Sequence, residues 1–591
     1  MEDKILDWVL PAEKFSQDGE PQSMRAVASE ILELDKNSAE GLAIMAEASL
    51  YLGDLREAET FAQYALAVEP NNLRGRLVTG GVAIKNFALK AQLEILSGVI
   101  ADAQKELKNL RATLQEHNHK FAFNRRKRTS ADDDFEKRLD KKIFITRSLL
   151  FKALTWLSNG LYLIGEPARA AQSLFEASAL TDKNDLAAEL YSKHLFLRNY
   201  RDTSQAQAKE LAQKYNAFFA NVAPLTHNKN RANKKIHVGY ISPDFREHAV
   251  ANFIPPLLQD YDAENFSVTC YSTGRKDLVT AKFKNFNVGW RDLIGKPPAL
   301  IANIIADDNV DILIDLSGHS QDSCLPVLAY KPAPVQICGI GYTATTGLVA
   351  VDYFLSDKIC SPENLPTNFT EKILRVDPCN LCYAPGFVKD MPALESSAPV
   401  LKNNFVTFGS FNNFAKISDE LLYLWRAILE RVPDSRLILK NKICSLDEGR
   451  ELVREKLSKM SFPLDRVELR PYSPDYLEQY RELDIALDTF PYTGGTTTCE
   501  ALYMGVPVVT LRGKTHGSRF GASILNAADL PELIAQNSMD YVNKAIQLAR
   551  RTELLAAYHV GLREHVKNSA LMNFKRYIRE LEKIYQEVVR L

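Results

Sequence analysis

The residues best suited to binding a phosphate lie in one stretch, between Leu483 and Thr510. Leu483–Asp488 is an apolar run of strand length, Gly494–Gly495 breaks that run, and Thr496–Thr498 follows with hydroxyls that can cap a helix. A helix end after glycines presents free N–H groups and a partial positive charge, which suits a pyrophosphate. Glu500 lies about one turn further along the same helix face, where a carboxylate could accept both hydroxyls of a ribose. The alternative is an ordinary β-α-β turn whose threonines only cap the helix.

Three more side chains with useful chemistry follow predicted strands. His248 ends the polar loop after strand Ile236–Ser242, and imidazole can accept a proton at physiological pH. Lys416 follows the strand that contains Gly409, where its ammonium could face an anion, and His319 follows another apolar strand. Each has a plainer interpretation. His248 could orient a substrate without proton transfer or be an exposed structural residue, Lys416 could be solvated, and His319 could stabilise its loop.

The global properties describe a soluble globular protein of several domains. The chain has 591 residues, a formal net charge of −1 and 25% charged residues, so nothing in its composition favours nucleic acid or a membrane surface. Its start, Met1–Lys4, lacks a basic region followed by an apolar core, and no apolar run reaches the length of a membrane span. The sequence therefore predicts a cytoplasmic protein, with a homo-oligomer left open.

The cysteines and acidic residues do not indicate a metal site. The eight cysteines are spread over a long chain, which is typical of reduced thiols and not of a disulfide framework. Cys379 and Cys382 have metal or redox spacing, but no second pair or nearby histidine completes a zinc site, so we interpret them as structural. No acidic pair lies at a strand end beside a nucleotide motif. We expect neither a metal nor a bound cofactor.

The first part of the chain, residues 1–225, has a helical pattern. Ala39–Asn72 fits the tetratricopeptide (TPR) template, with small residues on paired helices, Gly53 at the turn and a closing proline, and residues 154–182 give a weaker match. Such repeats form a concave surface that usually binds a peptide or another protein. The alternative is that this block only packs against the rest of the chain. The highly charged segment 105–142, with the basic run Asn124–Arg128, is interpreted as a solvated helix end or loop.

Beyond a polar linker the pattern changes to strands that alternate with helices. Apolar strands at 236–242, 310–316 and 335–342 predict one doubly wound domain over residues 232–390, and a second unit of the same kind covers 400–591. Two such domains in tandem place the carboxyl ends of their strands at one cleft, where ligands of open α/β sheets bind.

Five ordered motifs together resemble the O-linked N-acetylglucosamine transferase and SPINDLY-like family of GT-B glycosyltransferases. They are HVGYISPDFREH (237–248), DILIDLSGH (311–319), KPAPVQICGIGYTATTG (331–347), FVTFGSFNNFAKI (405–417) and LDTFPYTGGTTTCEALYMGVPVV (487–509), with SRFGASIL (518–525) behind them. The resemblance covers about residues 235 to 560, and the TPR-like leader also suits the family. It implies an α/β GT-B catalytic region of two Rossmann-like domains facing a cleft, preceded by an all-α TPR-like domain.

The resemblance also implies a reaction: inverting, metal-independent transfer of a sugar from a nucleotide sugar to Ser or Thr of a protein. Carried over by motif, the family's loop histidine falls on His248, beside the sugar and the incoming hydroxyl. Its essential lysine falls on Lys416, next to the departing diphosphate, and Asn413 takes the place of a neighbouring glutamine. The TPR-like helices would recognise the acceptor protein.

On the nucleotide side, the resemblance places the family's phosphate threonines on Thr496 and Thr497 and its ribose-binding carboxylate on Glu500. Thr498 belongs to the same helix end, whose N–H groups can stabilise a departing diphosphate. His319 takes a position that suits SPINDLY-like members and is expected to contact the substrate. At the position of Glu500, the N-acetylglucosamine transferases of the family usually have Asp, and the SPINDLY-like members have Glu.

Departures from the pattern leave the donor open. Gly495 stands where animal O-N-acetylglucosamine transferases have a histidine before the threonine pair, and Asp311 replaces a strand histidine. UDP-N-acetylglucosamine (UDP-GlcNAc) is the preferred donor and GDP-fucose the alternative. Two other classes stay in view: a non-catalytic TPR adaptor with a degenerate nucleotide-binding region, and a related epimerase or carbohydrate-directed transferase of the same two-lobed architecture.

Overall fold

The computed structural model describes residues 2–124, 128–201, 204–227, 235–365 and 368–590. Residues 125–127 of the predicted basic run and most of the polar linker lie outside the described residues. The chain divides into two compact units, Met1–His194 and Leu195–Leu591. The predicted boundary of the helical domain at residue 225 stays a prediction.

The first unit is built from antiparallel helices. Their bounds are α1 Glu2–Asp18, α2 Pro21–Leu34, α3 Ala39–Leu52, α4 Leu55–Val68, α5 Leu73–Lys85, α6 Leu89–Asn124, α7 Ser130–Leu163 and α8 Pro167–Ser178. A further helix, α9 Asn184–Arg198, begins in this unit and ends in the second. The described residues from Glu2 to Arg198 therefore fold mainly as helices, as the helical pattern of the sequence predicts.

The pair α3 and α4 shows why the sequence folds this way. Ser38 caps the first helix by accepting a hydrogen bond from the N–H of Gly41 at 3.2 Å, and Asp54 caps the second. Gly53 ends α3 at φ +87°, a left-handed conformation that favours glycine. Ala58 and other small residues are fully buried between the helices, so the two backbones approach closely.

Four charged side chains are buried together in the core of this helical unit. Arg74 donates to Glu13 at 2.6 Å and to Glu47, while Lys152 donates to the same two carboxylates at 2.6 and 2.7 Å. Burial alone would raise the pKa of Glu13, but Lys152 and Arg74 lower it. Because the charges balance, each one is compensated in a region that excludes water.

The second unit contains two parallel sheets. The first has strands β1 Ile236–Ser242, β2 Phe266–Ser272, β3 Gly289–Asp292, β4 Ile312–Asp315, β5 Val335–Cys338, β6 Tyr353–Ser356 and β7 Lys372–Arg375. Their order is β3-β2-β1-β4-β5-β6-β7, and every pairing is parallel. The helices here are α10 Gln205–Gln213, α11 Pro255–Leu258, α12 Leu278–Lys284, α13 Pro298–Asp307 and α14 Leu325–Leu328.

The second sheet repeats the same winding. Its strands are β8 Thr407–Ser410, β9 Arg436–Asn441, β10 Val467–Pro471, β11 Ile485–Leu487, β12 Val508–Leu511 and β13 Ile534–Ala535, in the order β10-β9-β8-β11-β12-β13. The helices are α15 Pro399–Asn403, α16 Asp419–Arg431, α17 Asp447–Lys459, α18 Thr496–Tyr503, α19 Phe520–Ala527, α20 Ser538–Ala549, α21 Thr552–Lys567 and α22 Phe574–Arg590. The two predicted Rossmann-like halves are confirmed.

The strand order locates the ligand-binding edge of each sheet. In both, the chain reverses its winding direction between the first and fourth strands, β1 and β4 in one and β8 and β11 in the other. Ligands of open parallel sheets bind at the carboxyl ends of strands at such a switch point. The loops after these four strands carry His248, His319, Lys416 and Thr496, so the topology explains why the nominated residues gather on this side.

Two segments of chain cross between the lobes, and they lie side by side. The first follows β7, and the second precedes α22, which returns to pack on the first lobe. The N–H of Tyr383 donates to the carbonyl of Leu571 at 2.9 Å, joining the two crossings directly. In α22, the hydroxyls of Tyr585 and Tyr240 are 3.2 Å apart, which ties the last helix to β1.

Candidate functional site

A cavity of about 400 Å³ lies between the carboxyl ends of the two sheets. Its size is that of a pocket for a small organic ligand. Residues of both lobes line it: Glu247, His248, Ala249, Asn252, Val388, Lys389, Phe411, Asn412, Asn413, Lys440, Asn441, Lys442, Tyr472, Tyr476, Thr496, Thr497 and Glu500. Five sequence-predicted site residues are therefore brought together here, namely His248, Asn413, Thr496, Thr497 and Glu500.

Asp488 shapes the loop that leads into α18. Its carboxylate lies at the end of β11, where Oδ1 accepts the N–H of Gly494 at 2.7 Å and Oδ2 accepts the hydroxyl of Thr510 at 2.7 Å. Burial raises the pKa of Asp488 to about 6, against the effect of these hydrogen bonds and of Lys416. The side chain thereby folds the glycine turn back over the strand and sets the position of the helix N-terminus.

Gly494 is required by a close approach. A Cβ added at this position would lie 2.5 Å from the hydroxyl oxygen of Thr498 and 2.7 Å from that of Thr497. Both distances are far below van der Waals contact. The turn can therefore place its backbone against the first residues of α18 only because residue 494 has no side chain.

Lys416 reaches the cavity lining through Asn412. Its Nζ donates to the Thr493 carbonyl at 3.0 Å and lies 3.4 Å from Asn412 Oδ1, which also accepts the Thr497 hydroxyl at 3.1 Å. Burial lowers the pKa of Lys416 to about 8, and Asp488 partly opposes that shift. An anion placed beside this half-buried amine would favour its charged form.

Aromatic rings support the same lysine from the other side. The ring of Tyr492 lies 4.6 Å from Lys416 Nζ and stacks on the ring of Tyr200, with centroids 4.8 Å apart and planes at 12°. Next to that stack, Arg201 Nη1 donates to the Ala415 carbonyl at 3.0 Å. Residues just after α9 thus help to hold the loop that carries Lys416.

Glu500 presents a carboxyl group to the cavity from the first turns of α18. It is 5% exposed, and its Oε1 accepts the hydroxyl of Tyr476 at 2.5 Å. Burial raises the pKa of Glu500 to about 7, while the bond from Tyr476 and the nearby Lys389 lower it. The site thus contains a carboxyl group that changes charge near neutral pH and can accept hydrogen bonds from hydroxyls of a ligand.

His248 faces the cavity from the first lobe. Its Nδ1 lies 3.4 Å from the N–H nitrogen of Val250 and 3.4 Å from Asp244 Oδ2. Burial lowers the pKa of His248 to about 4, and Arg246 adds to that effect. The imidazole is therefore neutral at physiological pH and has one nitrogen able to accept a proton.

Two threonines of the predicted phosphate run are placed differently from the third. Thr496 and Thr497 line the cavity, and the Thr496 hydroxyl also donates to the Ala249 carbonyl of the first lobe at 3.0 Å. Thr498 is 2% exposed, lies behind the glycine turn and does not line this cavity. Asn413 does line it, while its Oδ1 accepts the N–H of Ala415 at 3.0 Å and caps the short 3-10 helix that contains Lys416.

His319 is not brought to the cavity. Its side chain is fully buried, with the ring 4.7 Å from the ring of Tyr215 and 5.4 Å from that of Tyr342. Its Nε2 lies 2.8 Å from the Thr346 carbonyl oxygen. These contacts favour the loop-stabilising interpretation, because the imidazole is enclosed by Tyr342 of its own lobe and by Tyr215 of the segment before β1.

Sequence reasoning missed several residues of the site. Asn412, Tyr476 and Asp488 were not nominated, although they bridge Thr497 to Lys416, hold Glu500 and fold the glycine turn. Asn412 could have been found from the FNN triplet at 411–413, because either asparagine of the triplet could reach the site from the end of the strand. Tyr476 lies outside every motif, and only the fold brings it to α18.

Within the described part of the chain, no three His, Cys, Asp or Glu side chains are grouped so that they could hold a metal ion. The expectation of metal-independent chemistry stays a prediction. In the same residues, no helix has both the length and the apolar character needed to cross a bilayer.

Two parallel sheets with matching strand order, facing one cavity beside a glycine–threonine helix turn, define the class of GT-B glycosyltransferases. The chain belongs to glycosyl transferase family 41, whose model matches residues 199–379 and 393–581. This match covers more than half of the chain and confirms the resemblance carried by the five motifs.

Several curated relatives come from plants. A Solanum lycopersicum protein described as a probable UDP-N-acetylglucosamine–peptide N-acetylglucosaminyltransferase SPINDLY is 39% identical over 371 residues, 61% of this chain and 40% of that protein. An Arabidopsis thaliana protein described as a probable transferase of the same type, SEC, is 26% identical over 412 residues, 64% of this chain and 41% of its own length. The match thus spans well under half of these relatives.

A solved structure shows the same fold. The chain of a mutant Thermobaculum terrenum O-GlcNAc transferase is 24% identical to this chain, with a TM-score of 0.69, and the match covers 100% of this chain and 98% of that one. At this identity the likeness concerns the fold. It agrees with a helical region followed by two parallel sheets.

Proposed function

We propose that this chain is an inverting, metal-independent glycosyltransferase that moves a sugar from a nucleotide sugar to Ser or Thr of a protein. One observation supports this most strongly. The imidazole of His248 and the hydroxyl of Thr497 line one cavity from opposite lobes, and Asn412 connects Thr497 to the amine of Lys416, so groups suited to an anion lie across the cavity from a neutral base. Glycosyl transfer to a hydroxyl needs both: removal of a proton and stabilisation of a departing diphosphate.

The roles follow from the chemistry of each group. The amine of Lys416 and the N-terminus of α18 stabilise the negative charge that develops on the diphosphate, since fixed donors need no reorganisation. The carboxyl group of Glu500 accepts hydrogen bonds from the ribose hydroxyls. His248 accepts the proton of the attacking hydroxyl, so that the acceptor oxygen displaces the diphosphate from the opposite face of the sugar.

The proposed donor is UDP-GlcNAc, the nucleotide sugar in the descriptions of the curated relatives. GDP-fucose is the second candidate, because Glu500 is the residue that SPINDLY-like enzymes carry at the ribose position, and the SPINDLY proteins are the more similar relatives. The helices of residues 1–194 are proposed to recognise the acceptor protein. The presence of these repeats also argues against a carbohydrate-directed enzyme, which would have little use for a peptide-binding surface. A cytoplasmic location belongs to the same proposal.

The test is intact-mass analysis of acceptor proteins incubated with the purified chain and either donor. A mass increase of an N-acetylhexosamine supports UDP-GlcNAc, and that of a deoxyhexose supports GDP-fucose. The anomeric configuration of the product, determined by NMR, tests inversion, and activity in the presence of a chelator tests metal independence. No transfer and no hydrolysis of either donor would contradict the proposal and favour the non-catalytic adaptor.

A further inference from the structure

Asp244 is a buried acidic residue that has no role in the transfer reaction proposed above. It follows β1 and is 2% exposed. Its Oδ1 lies 3.3 Å from Arg246 Nη2, whereas its Oδ2 is buried without a hydrogen-bond partner among the described residues. A buried carboxylate oxygen without a donor is unfavourable, so a donor within reach is expected to turn toward it.

The group within reach is the imidazole of His248. In the structure its Nδ1 accepts the N–H of Val250 at 3.4 Å, and Asp244 Oδ2 lies equally far from the same nitrogen. These two neighbours require opposite tautomers. If Nδ1 accepts from Val250, the proton sits on Nε2, which cannot then act as a base. If Nδ1 carries the proton and donates it to Asp244, Nε2 keeps a free lone pair.

We propose that Asp244 is a positioning residue for His248: it accepts the Nδ1–H bond and so holds the tautomer whose Nε2 can take a proton from the acceptor. The inference rests on the proposed function of His248. The burial of Asp244 favours the carboxylate over Val250 as the partner of Nδ1, because a bond to Oδ2 satisfies a buried oxygen that otherwise lacks a hydrogen-bond partner among the described residues.

The oxygen of the acceptor hydroxyl forms a bond to the anomeric carbon, and the bond from that carbon to the diphosphate oxygen breaks, its electron pair leaving with the diphosphate. The hydroxyl proton moves to Nε2 of His248. The resulting imidazolium is stabilised by the Asp244 carboxylate, which itself stays deprotonated, and then releases its proton to solvent.

The surroundings of the pair set the pH range in which it works. The titratable side chains that face these two residues are Arg246, Asp315, Asp322 and Cys324. Burial raises the pKa of Asp244 to about 7, with Arg246 opposing the shift and Asp322 and Asp315 adding to it. As pH rises, His248 loses its proton first, near pH 4, and Asp244 loses its proton later, near pH 7. Turnover is therefore expected to increase through about pH 7.

The test combines the tautomer of His248 with kinetics of Asp244→Asn. In the full-length chain with ¹⁵N-labelled histidine, the His248 signal is identified among the 10 histidines by its absence from His248→Gln. We expect the wild type to show a protonated Nδ1 and a bare Nε2. In Asp244→Asn the Nε2–H form should grow, kcat should fall about 10²-fold with an unchanged donor KM, and the limb near pH 7 should vanish.

The matched control is Asp322→Asn, which removes a nearby negative charge from an exposed position. Asn also tolerates the φ of +59° found there. This control should keep the wild-type tautomer and kcat. A wild-type His248 already protonated at Nε2, or a loss of kcat in Asp244→Asn without a tautomer change, would overturn the inference. Because the spectra need neither donor nor acceptor, they decide it even if no transfer is found or the variant fails to fold.

Discussion

Lys416 is the single side chain whose removal should harm the reaction most. Lys416→Ala deletes the amine proposed to stabilise the diphosphate and leaves the Thr493 carbonyl without this donor, while Asn412 keeps the Thr497 hydroxyl. We expect kcat to fall about 10²-fold or more, as for the loss of one transition-state donor. The fold should persist, because Lys416 as a whole residue is partly exposed. Measured transfer rates and a thermal unfolding curve check both statements.

The control for this substitution is Lys583→Ala. Lys583 lies on the exposed face of α22, paired with Glu580 one turn away, and such surface pairs contribute little. It should leave both rate and stability nearly unchanged. Normal turnover of a folded Lys416→Ala variant would count heavily against the assignment of this lysine.

We expect Glu500 and Lys416 to give the proposed binding of a nucleoside diphosphate a bell-shaped pH dependence. Burial holds the pKa of Glu500 near 7, so its carboxylate is lost as pH falls below that value. Burial also lowers the pKa of Lys416 to about 8, so its charge is lost as pH rises above that value. Calorimetric titration of UDP, or of GDP if fucose is the donor sugar, should show the tightest binding between these limits.

Each limb of that profile can be assigned by substitution. Glu500→Gln cannot titrate and should remove the acidic limb, while Lys416→Met should remove the alkaline one and weaken binding throughout. A profile that keeps both limbs in both variants would show that other groups control the affinity.

At the scale of elements, the turn before α18 depends on the absence of one side chain. Gly494→Ala would drive a methyl group to 2.5 Å from the hydroxyl oxygen of Thr498, so the turn must shift away from the helix. We expect nucleotide binding, measured by calorimetry, to weaken by at least about tenfold, because a small displacement of positioning groups has large effects.

The matched control is Gly561→Ala in α21, where an added Cβ meets nothing within 4 Å. That change should leave binding unaltered and raise the stability by up to about 1 kcal/mol, since alanine favours a helix interior. Equal loss of binding in both variants would mean that the turn has no special role.

The elements were predictable to different degrees. Strand Ile236–Ser242 was predicted with its full bounds, because it is a continuous apolar run, and α16 was predicted from its amphipathic pattern. Short or more exposed strands such as β3, whose residues are mostly exposed, and the two-residue β13 carry no apolar run and were missed. Their position depends on pairing with a neighbouring strand, which a local pattern does not contain.

The site was predictable where motif and topology coincide. His248, Thr497 and Glu500 follow or begin elements at the switch points, so local sequence was enough to nominate them. His319 follows a strand in the same way, yet its imidazole turns into its own lobe, and only side-chain packing decides such a direction. Tyr476 shows the converse, because it reaches Glu500 from a loop without a motif.

At the scale of the whole molecule, the two compact units should respond separately to damage in the helical core. Arg74→Met leaves Glu13 and Glu47 buried with less positive charge, which typically costs about 3–5 kcal/mol. We expect the helical unit to melt at a lower temperature while the second unit still binds nucleotide. Calorimetry with and without the nucleotide resolves the two transitions.

The control is Arg76→Met on the same helix. Arg76 pairs with the half-exposed Asp102 at the surface, so its loss should cost no more than about 1 kcal/mol. If Arg74→Met also abolished nucleotide binding, the two units would have to unfold as one.

The paired crossings between the lobes limit how the molecule can open. The two adjacent chain segments, joined by the hydrogen bond from the Tyr383 N–H to the Leu571 carbonyl, should act as a single hinge. Rotation of the lobes about the common axis of the two segments costs little. Twisting or sliding of the lobes would strain one segment against the other. We therefore expect a nucleotide to enter and leave when the two lobes rotate apart about this one axis. Each closure then returns the His248 imidazole and the Lys416 amine to the same relative position.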